Sequence, residues 1–265
     1  MGTKSCSANI ILNKKNRETK RAVKLCGALR ERSEIMKKHT KIVALFLAVL
    51  MMLSLSACGK KLSVGDSLQM GNYGENSIWW EVIAVDGDRA LVISRDSVDW
   101  KLFNEQYENV TWETSTLRNW LNDTFYNSAF NSDERSKILT TTIENPDNPD
   151  SGVDGGNDTE DRLFLLSVYE VEEYYEREAF REAGLSIKAH NSAKEYNPDG
   201  YIGGLSSSWW TRTPGEDEFG FICVNVGGEF ETRPTGLASD LFTSGIVVAD
   251  DKNGAGVRPA MWIER

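Results

Sequence analysis

The spacing of apolar residues changes twice along this chain, and that switch fixes its class before any single motif does. Over "SIWWEVIAVDGDRALVISRDSV", Ser77 to Val98, β-prone residues form two runs around Asp86-Gly87-Asp88. Asp-Gly between such runs is a tight-turn signal, so the stretch is predicted to be a β-hairpin. Past Trp112 the period lengthens. Leu117, Trp120, Leu121 and Phe125 fall at helical spacing behind Thr114 or Ser115 as N-cap. Asn131 and Glu134 make a capping-box pattern for a second short helix. Ser167 and Glu170 repeat it for a third, which reads through "VEEYYEREAFREAG" and stops at Gly184. From Leu205 strand-like text returns in "WWTRT", "FICVNVGG" and "GVRPAMWI", and "RPTGLASDLFTSG" reads as a long surface excursion. Strands, then helices, then strands predict an α+β fold: a compact single domain with an antiparallel β-sheet and about three helices.

Charge divides the chain into two unlike pieces. Residues 1–57 hold 12 Lys/Arg against 3 Asp/Glu, whereas the rest holds 18 against 37, a net of −19. The acidic body repels phosphates, which argues against nucleic acid as a partner, and it attracts cations or basic partners. The basic piece contains "MKKHTKIVALFLAVLMMLSLSACGKK", Met36 to Lys61. Lys37, Lys38 and Lys41 precede an apolar run, Ile42 to Ala57, that ends in small residues. This is the pattern of a secretory signal peptide over residues 36–57. Its end, "LSAC", looks like a bacterial lipobox, in which Cys58 takes a lipid and becomes the first residue of the mature chain. The expectation is a lipoprotein anchored on the extracytoplasmic face of the cell membrane; an uncleaved signal anchor is the alternative. Residues 58–65 then form a short linker, and residues 66–265 form the α+β domain. Residues 1–35 read as an over-extended start, with Met36 as the initiator.

The reactive residues are few. Cys6 and Cys26 lie upstream of the expected cleavage, Cys58 is the lipidation site, and Cys223 is left alone. The mature domain therefore has no cysteine pair for a disulfide and no cysteine-based zinc site. His39 falls in the signal, so His190 has no histidine partner for a metal site. Cys223 sits in a β-rich "FICVNV" run and is expected to be buried and inert. No spacing singles out a carboxylate pair for glycoside hydrolysis.

Three groups of residues remain as candidates. Arg212 and Arg258 stand among apolar and aromatic neighbours, and a buried guanidinium needs a carboxylate or several carbonyls. They read either as structural anchors that pin strands or as recognition groups for a carboxylate or a sugar hydroxyl. The pairs Trp209-Trp210 and Trp79-Trp80 are the candidate ligand-binding residues. Strand alternation sends one ring of each pair to a second face, which is either covered or an aromatic platform for sugar rings. The loop "ENPDNPDSGVDGGNDTEDR" places Asp150, Asp154 and Asp161 in an imperfect calcium-loop frame, so the chain reads there either as a Ca²⁺ site or as a solvated loop held by Asx turns.

Five stretches also carry a resemblance: "VTWETSTLRNWLNDTFYNSAF", "ILTTTI", "GNDTEDRLFLLSVYEVEEYY", "WWTRTPG" and "GVRPAMWI", in this order. Together they resemble the bacterial domain-of-unknown-function family 6273, over about Leu62 to Arg265. The family's more usual "WWLRSPG" is "WWTRTPG" here, with Thr211 and Thr213. The closing Trp-Arg strand and terminal "GVRPAxW" strand look like the ending of C-type-lectin-like and sulfatase-modifying-factor domains. That likeness implies a small sheet joining the two termini and long loops forming a binding face; it implies no activity. The expected role is non-catalytic binding or display, of a carbohydrate or a protein or peptide ligand. A structural or accessory envelope component and an enzyme acting on glycans are the competing classes.

Overall fold

The computed structural model describes residues 61–175, 177, 181–196, 206–234 and 254–265. Cys58, the signal segment, residues 1–35 and residues 235–245 of the expected surface excursion lie outside the described residues. Residues Leu62–Arg265 form one compact unit. Its strands are β1 (Ser67–Tyr73), β2 (Asn76–Asp86), β3 (Arg89–Ser94), β4 (Asp99–Leu102), β5 (Thr141–Ile143), β6 (Thr159–Asp161), β7 (Ala183–Gly184), β8 (Ser206–Ser207), β9 (Trp209–Pro214), β10 (Gly220–Val224), β11 (Phe230–Pro234), β12 (Gly254–Val257) and β13 (Ala260–Glu264). The α+β class is as the periodicity implies, with mostly antiparallel pairing.

The first sheet has the order β1-β2-β3-β13. The predicted hairpin is its centre: Asp86 pairs with Arg89, and Gly87 occupies the turn at φ +58°. A left-handed φ there suits glycine, which has no Cβ to clash. Strand β13 closes the other side, Trp262 opposite Leu91, so the first and last strands of the domain share one sheet. A bulge in β1 puts Gly71 at φ +77°, where a Cβ would lie 2.8 Å from the Phe130 ring.

The second sheet has the order β11-β10-β9-β12-β4. Strand β9 is its centre and is buried on both faces from Trp209 to Pro214. One side of this core holds Phe103, Trp112, Trp210 and Phe221, with Phe103 stacked on Phe221 at 3.5 Å between centroids. Burial of each such ring contributes roughly 2–3 kcal/mol.

Four helices are found among the described residues. The first, α1, runs as Thr116–Trp120, a π-helical turn Leu121–Phe125 and Tyr126–Ala129. Ser115 is its N-cap, accepting from the Arg118 amide, and Leu117, Leu121 and Phe125 point into the core. In the π turn, Asn122 donates to Leu163 O and accepts from the amides of Arg162 and Leu163, tying the helix to the chain after β6. Helix α2 (Ser132–Arg135) carries the Asn131–Glu134 capping box. Helix α3 (Val168–Tyr174) carries the one formed by Ser167 and Glu170.

Helix α3 is shorter than its sequence implies. It ends at Tyr174 because Tyr175 turns extended (φ −128°, ψ 91°) and buries its ring beneath Arg258, while Ala183–Gly184 form β7 against β8. The fourth helix, α4 (Ile187–Tyr196), lacks a strong apolar period and buries only Ala189 and Ala193. None of these helices is long and apolar enough to cross a membrane.

Candidate functional site

The residues around Arg212 build the most developed site. Arg212 lies in β9, at the middle of the second sheet, with 3% of its side chain exposed. Its Nε and Nη2 donate to Glu144 O at 3.2 and 2.9 Å, and Nη1 donates to Leu165 O at 2.6 Å. Nη1 also forms an ion pair with the Glu170 carboxylate. Glu170 is held in turn by α3, since its Oε2 accepts from the Ser167 amide at 2.7 Å and from Ser167 Oγ at 3.1 Å. The capping box therefore does two jobs: it starts a helix and it positions the counter-ion of a buried arginine.

Above this pair opens a cleft of about 420 Å³, within the usual range for ligand sites. Its walls come from three elements. Strand β5 and the residues after it give Thr142, Ile143, Glu144 and Pro146; the start of α3 gives Ser167, Tyr169 and Glu170; β13 gives Trp262. Tyr169 is exposed (46%), and Trp262 is half-buried under the Arg89 guanidinium, 4.5 Å from its ring. The side chain of Glu144 is exposed, although its carbonyl is bound by Arg212. Nearby on α3, the Tyr174 phenol is pushed up to about 12, by burial first and then by the negative charges of Glu173 and Glu170, with Arg212 opposing.

The other arginine is anchored differently. Arg258 is buried (2%), donates from Nε to Ser94 O at 2.9 Å and from Nη1 to Arg181 O at 3.4 Å, and lies over Trp209 and Tyr175 at 5.1 and 5.5 Å.

The tryptophan pairs resolve unevenly. Trp209 and Trp210 point to opposite faces, and both faces are covered. Trp209 Nε1 donates to Arg181 O at 2.9 Å, Trp210 Nε1 donates to Lys101 O at 2.8 Å, and neither ring has exposed area. Trp80 is likewise enclosed, donating to Met70 O at 2.7 Å. These three rings are core residues rather than a platform, because both faces of β9 are covered and Trp80 lies on the packed face of the first sheet. Trp79 alone of the four is exposed (45%), with the Arg95 guanidinium 5.4 Å from its ring. The crevice beside it, shared with Tyr73 and Asp96, has about 40 Å³, far less than the 420 Å³ over Arg212.

Of the calcium-loop frame, Asp150 and Asp154 are exposed and Asp161 is buried. Asp161 is buried and committed: Arg118 Nε donates to Oδ1 at 2.8 Å, and Trp112 Nε1 and Thr159 Oγ1 donate to Oδ2 at 2.9 and 2.7 Å. Asp154 accepts from the Gly156 amide at 2.8 Å. The amides of Asp150 and Ser151 donate to Asn148 Oδ1, and Asn148 Nδ2 donates to Pro214 O and Gly215 O. The loop is an Asx-turn structure docked on the end of β9. Among the described residues no group of three or more His, Cys, Asp or Glu converges in a way that would hold a metal ion.

Cys223 is buried in β10, and its thiol is pushed up to about 12, chiefly by that burial. Of the cleft residues, Arg212 alone was marked by the sequence; Tyr169, Glu144 and Trp262 were not. The available signal was the capping box, which sets Glu170 in the first turn of α3 directly after Tyr169.

A family model described as "Domain of unknown function (DUF6273)" matches residues 87–265. No curated protein and no solved structure matches the chain.

Proposed function

Because the chain belongs to the DUF6273 family, whose description assigns no activity, we propose from its geometry that the domain is a non-catalytic binding module. It is displayed at the cell surface, held there by the lipid at Cys58 that "LSAC" implies. The observation that carries the reading is the cleft over Arg212: a preformed hollow with an exposed tyrosine and a half-buried tryptophan on its walls. Its floor is rigid, since both partners of the Arg212–Glu170 pair are held by further hydrogen bonds. Such a floor favours recognition, which gains from pre-organisation, over proton transfer, which needs a group free to change its charge. The pairing of the first and last strands in one sheet supports the lectin-like layout that the resemblance implies, and with it carbohydrate or peptide as the ligand classes.

The test is binding of purified protein to glycan and peptide arrays, repeated with Tyr169→Ala and Trp262→Ala. Binding lost in these variants, with an unchanged urea midpoint, supports the module. Turnover of a glycan substrate in place of retention would sink it. One observation favours the accessory reading instead: Tyr107 and Phe219 stack at 5.2 Å while both remain exposed, a surface suited to a protein contact.

A further inference from the structure

We propose that the Arg212 cleft selects an extended peptide carrying a lysine or arginine side chain. This rests on the reading of the cleft as a binding site and adds its ligand chemistry.

The arginine on the floor has little to give an anion. Three of its nitrogens are engaged, by two carbonyl oxygens and a carboxylate, and its side chain is 97% covered (3% exposed). Among the described residues, the hydrogen bonds that Glu170 accepts end on Oε2, while its side chain stays 24% exposed at the cleft. The lining of the cleft thus includes the partly exposed Glu170 and the exposed Glu144, whose carboxylates act only as acceptors. A neutral sugar is usually held by donors as well as acceptors, because each hydroxyl both gives and takes a hydrogen bond. A protonated amine or guanidinium only donates, and it is also drawn to an aromatic face such as that of Tyr169. The surrounding charge acts in the same direction: residues 58–265 carry a net of −19, and Glu172 and Glu173 are exposed on α3.

The wall formed by β5 points to a peptide as the carrier of that cation. Strand β5 pairs with β6 on one side, and no second strand pairs with it among the described residues. Thr142 and Ile143 of this strand line the cleft, which leaves a main-chain edge where an extended ligand can add a strand. A backbone running along β5 would hold a basic side chain over Glu170 and Glu144.

The experiment uses the full-length chain and fluorescence polarisation of short labelled peptides that differ at one central position: lysine, Nε-acetyl-lysine or glutamate. A neutral oligosaccharide of glucose is titrated in parallel by calorimetry. The lysine peptide should bind, acetylation and glutamate should each weaken it about tenfold or more, and affinity should fall with added salt. Glu144→Gln should weaken it severalfold while leaving the Arg212 bonds, which use the Glu144 carbonyl, in place. Equal binding of the lysine and acetyl-lysine peptides, or preference for the oligosaccharide, with either binding lost in Tyr169→Ala, would overturn the cation selectivity and keep the binding site. Binding that is indifferent to Tyr169→Ala, or no binding of any probe, would overturn the site itself and this proposal with it.

Discussion

Arg212 and Cys223 show how burial decides what a polar side chain can do. Removing the Arg212 guanidinium takes the partner from the mostly buried Glu170 carboxylate and from the carbonyls of Glu144 and Leu165. Arg212→Ala should therefore lower stability by about 3–5 kcal/mol in urea unfolding. Arg212→Lys should recover only part of it, because an ammonium cannot span both carbonyls and the carboxylate as the planar fork does. At Cys223 the raised thiol pKa gives two outcomes. The native chain at pH ~8 should resist alkylation that goes to completion in denaturant. The linkage sign is also set: folding favours the protonated thiol, so stability is intact below the unfolded value of 9.0 and declines as pH rises towards about 12. A Cys223→Ala chain should lose less stability than the parent over that window, as read by urea midpoints. The burial of Cys223 was legible in "FICVNV"; the fate of Trp209 and Trp210 was not. Alternation placed them on opposite faces, but only tertiary packing could show that both faces of β9 are covered.

Among the elements, those specified by local chemistry were readable and those specified by distant partners were not. Ser115, Asn131 and Ser167 cap their helices where the sequence places them, because a cap is satisfied by amides two or three residues on. The end of α3 escaped notice because Tyr175 leaves the helix for a pocket built by Arg258, far away in sequence. Helix α4 escaped because it buries only two alanines. Helix α2 gives a test of the local kind. Glu134 accepts from the Asn131 amide through Oε2 and from the Gly71 amide, in the bulge of β1, through Oε1 at 2.8 Å. Glu134→Ala loses both and should cost about 1–3 kcal/mol, more than the roughly 1 kcal/mol of Asn131→Ala, when the two are compared by thermal or urea melts.

At the scale of the molecule, the family match begins at Gly87, inside the turn between β2 and β3, whereas the sheet it enters begins at Ser67. The segment before Gly87 supplies Met70, Ile78, Trp80 and Val82 to the core. Each such side chain contributes about 1.5–3 kcal/mol, so together they rival the whole stability of a typical domain, roughly 5–15 kcal/mol. A chain trimmed to residues 87–265 should show no cooperative unfolding transition by circular dichroism, whereas one starting at Leu62 should.

Strand β13 occupies the last stretch of the sequence and sits beside β3, with the Glu264 amide donating to Lys137 O and the Arg265 amide to Asp88 O. The hairpin of β2 and β3 therefore waits for β13 to complete its sheet. While the polypeptide is being synthesised, β3 has an open flank, and Phe164 lacks the Ala260 backbone it will pair with. Strand β3 keeps that open flank until β13 has been made. A product lacking β13 leaves β3 as an exposed edge, the kind of edge that recruits a strand from another chain.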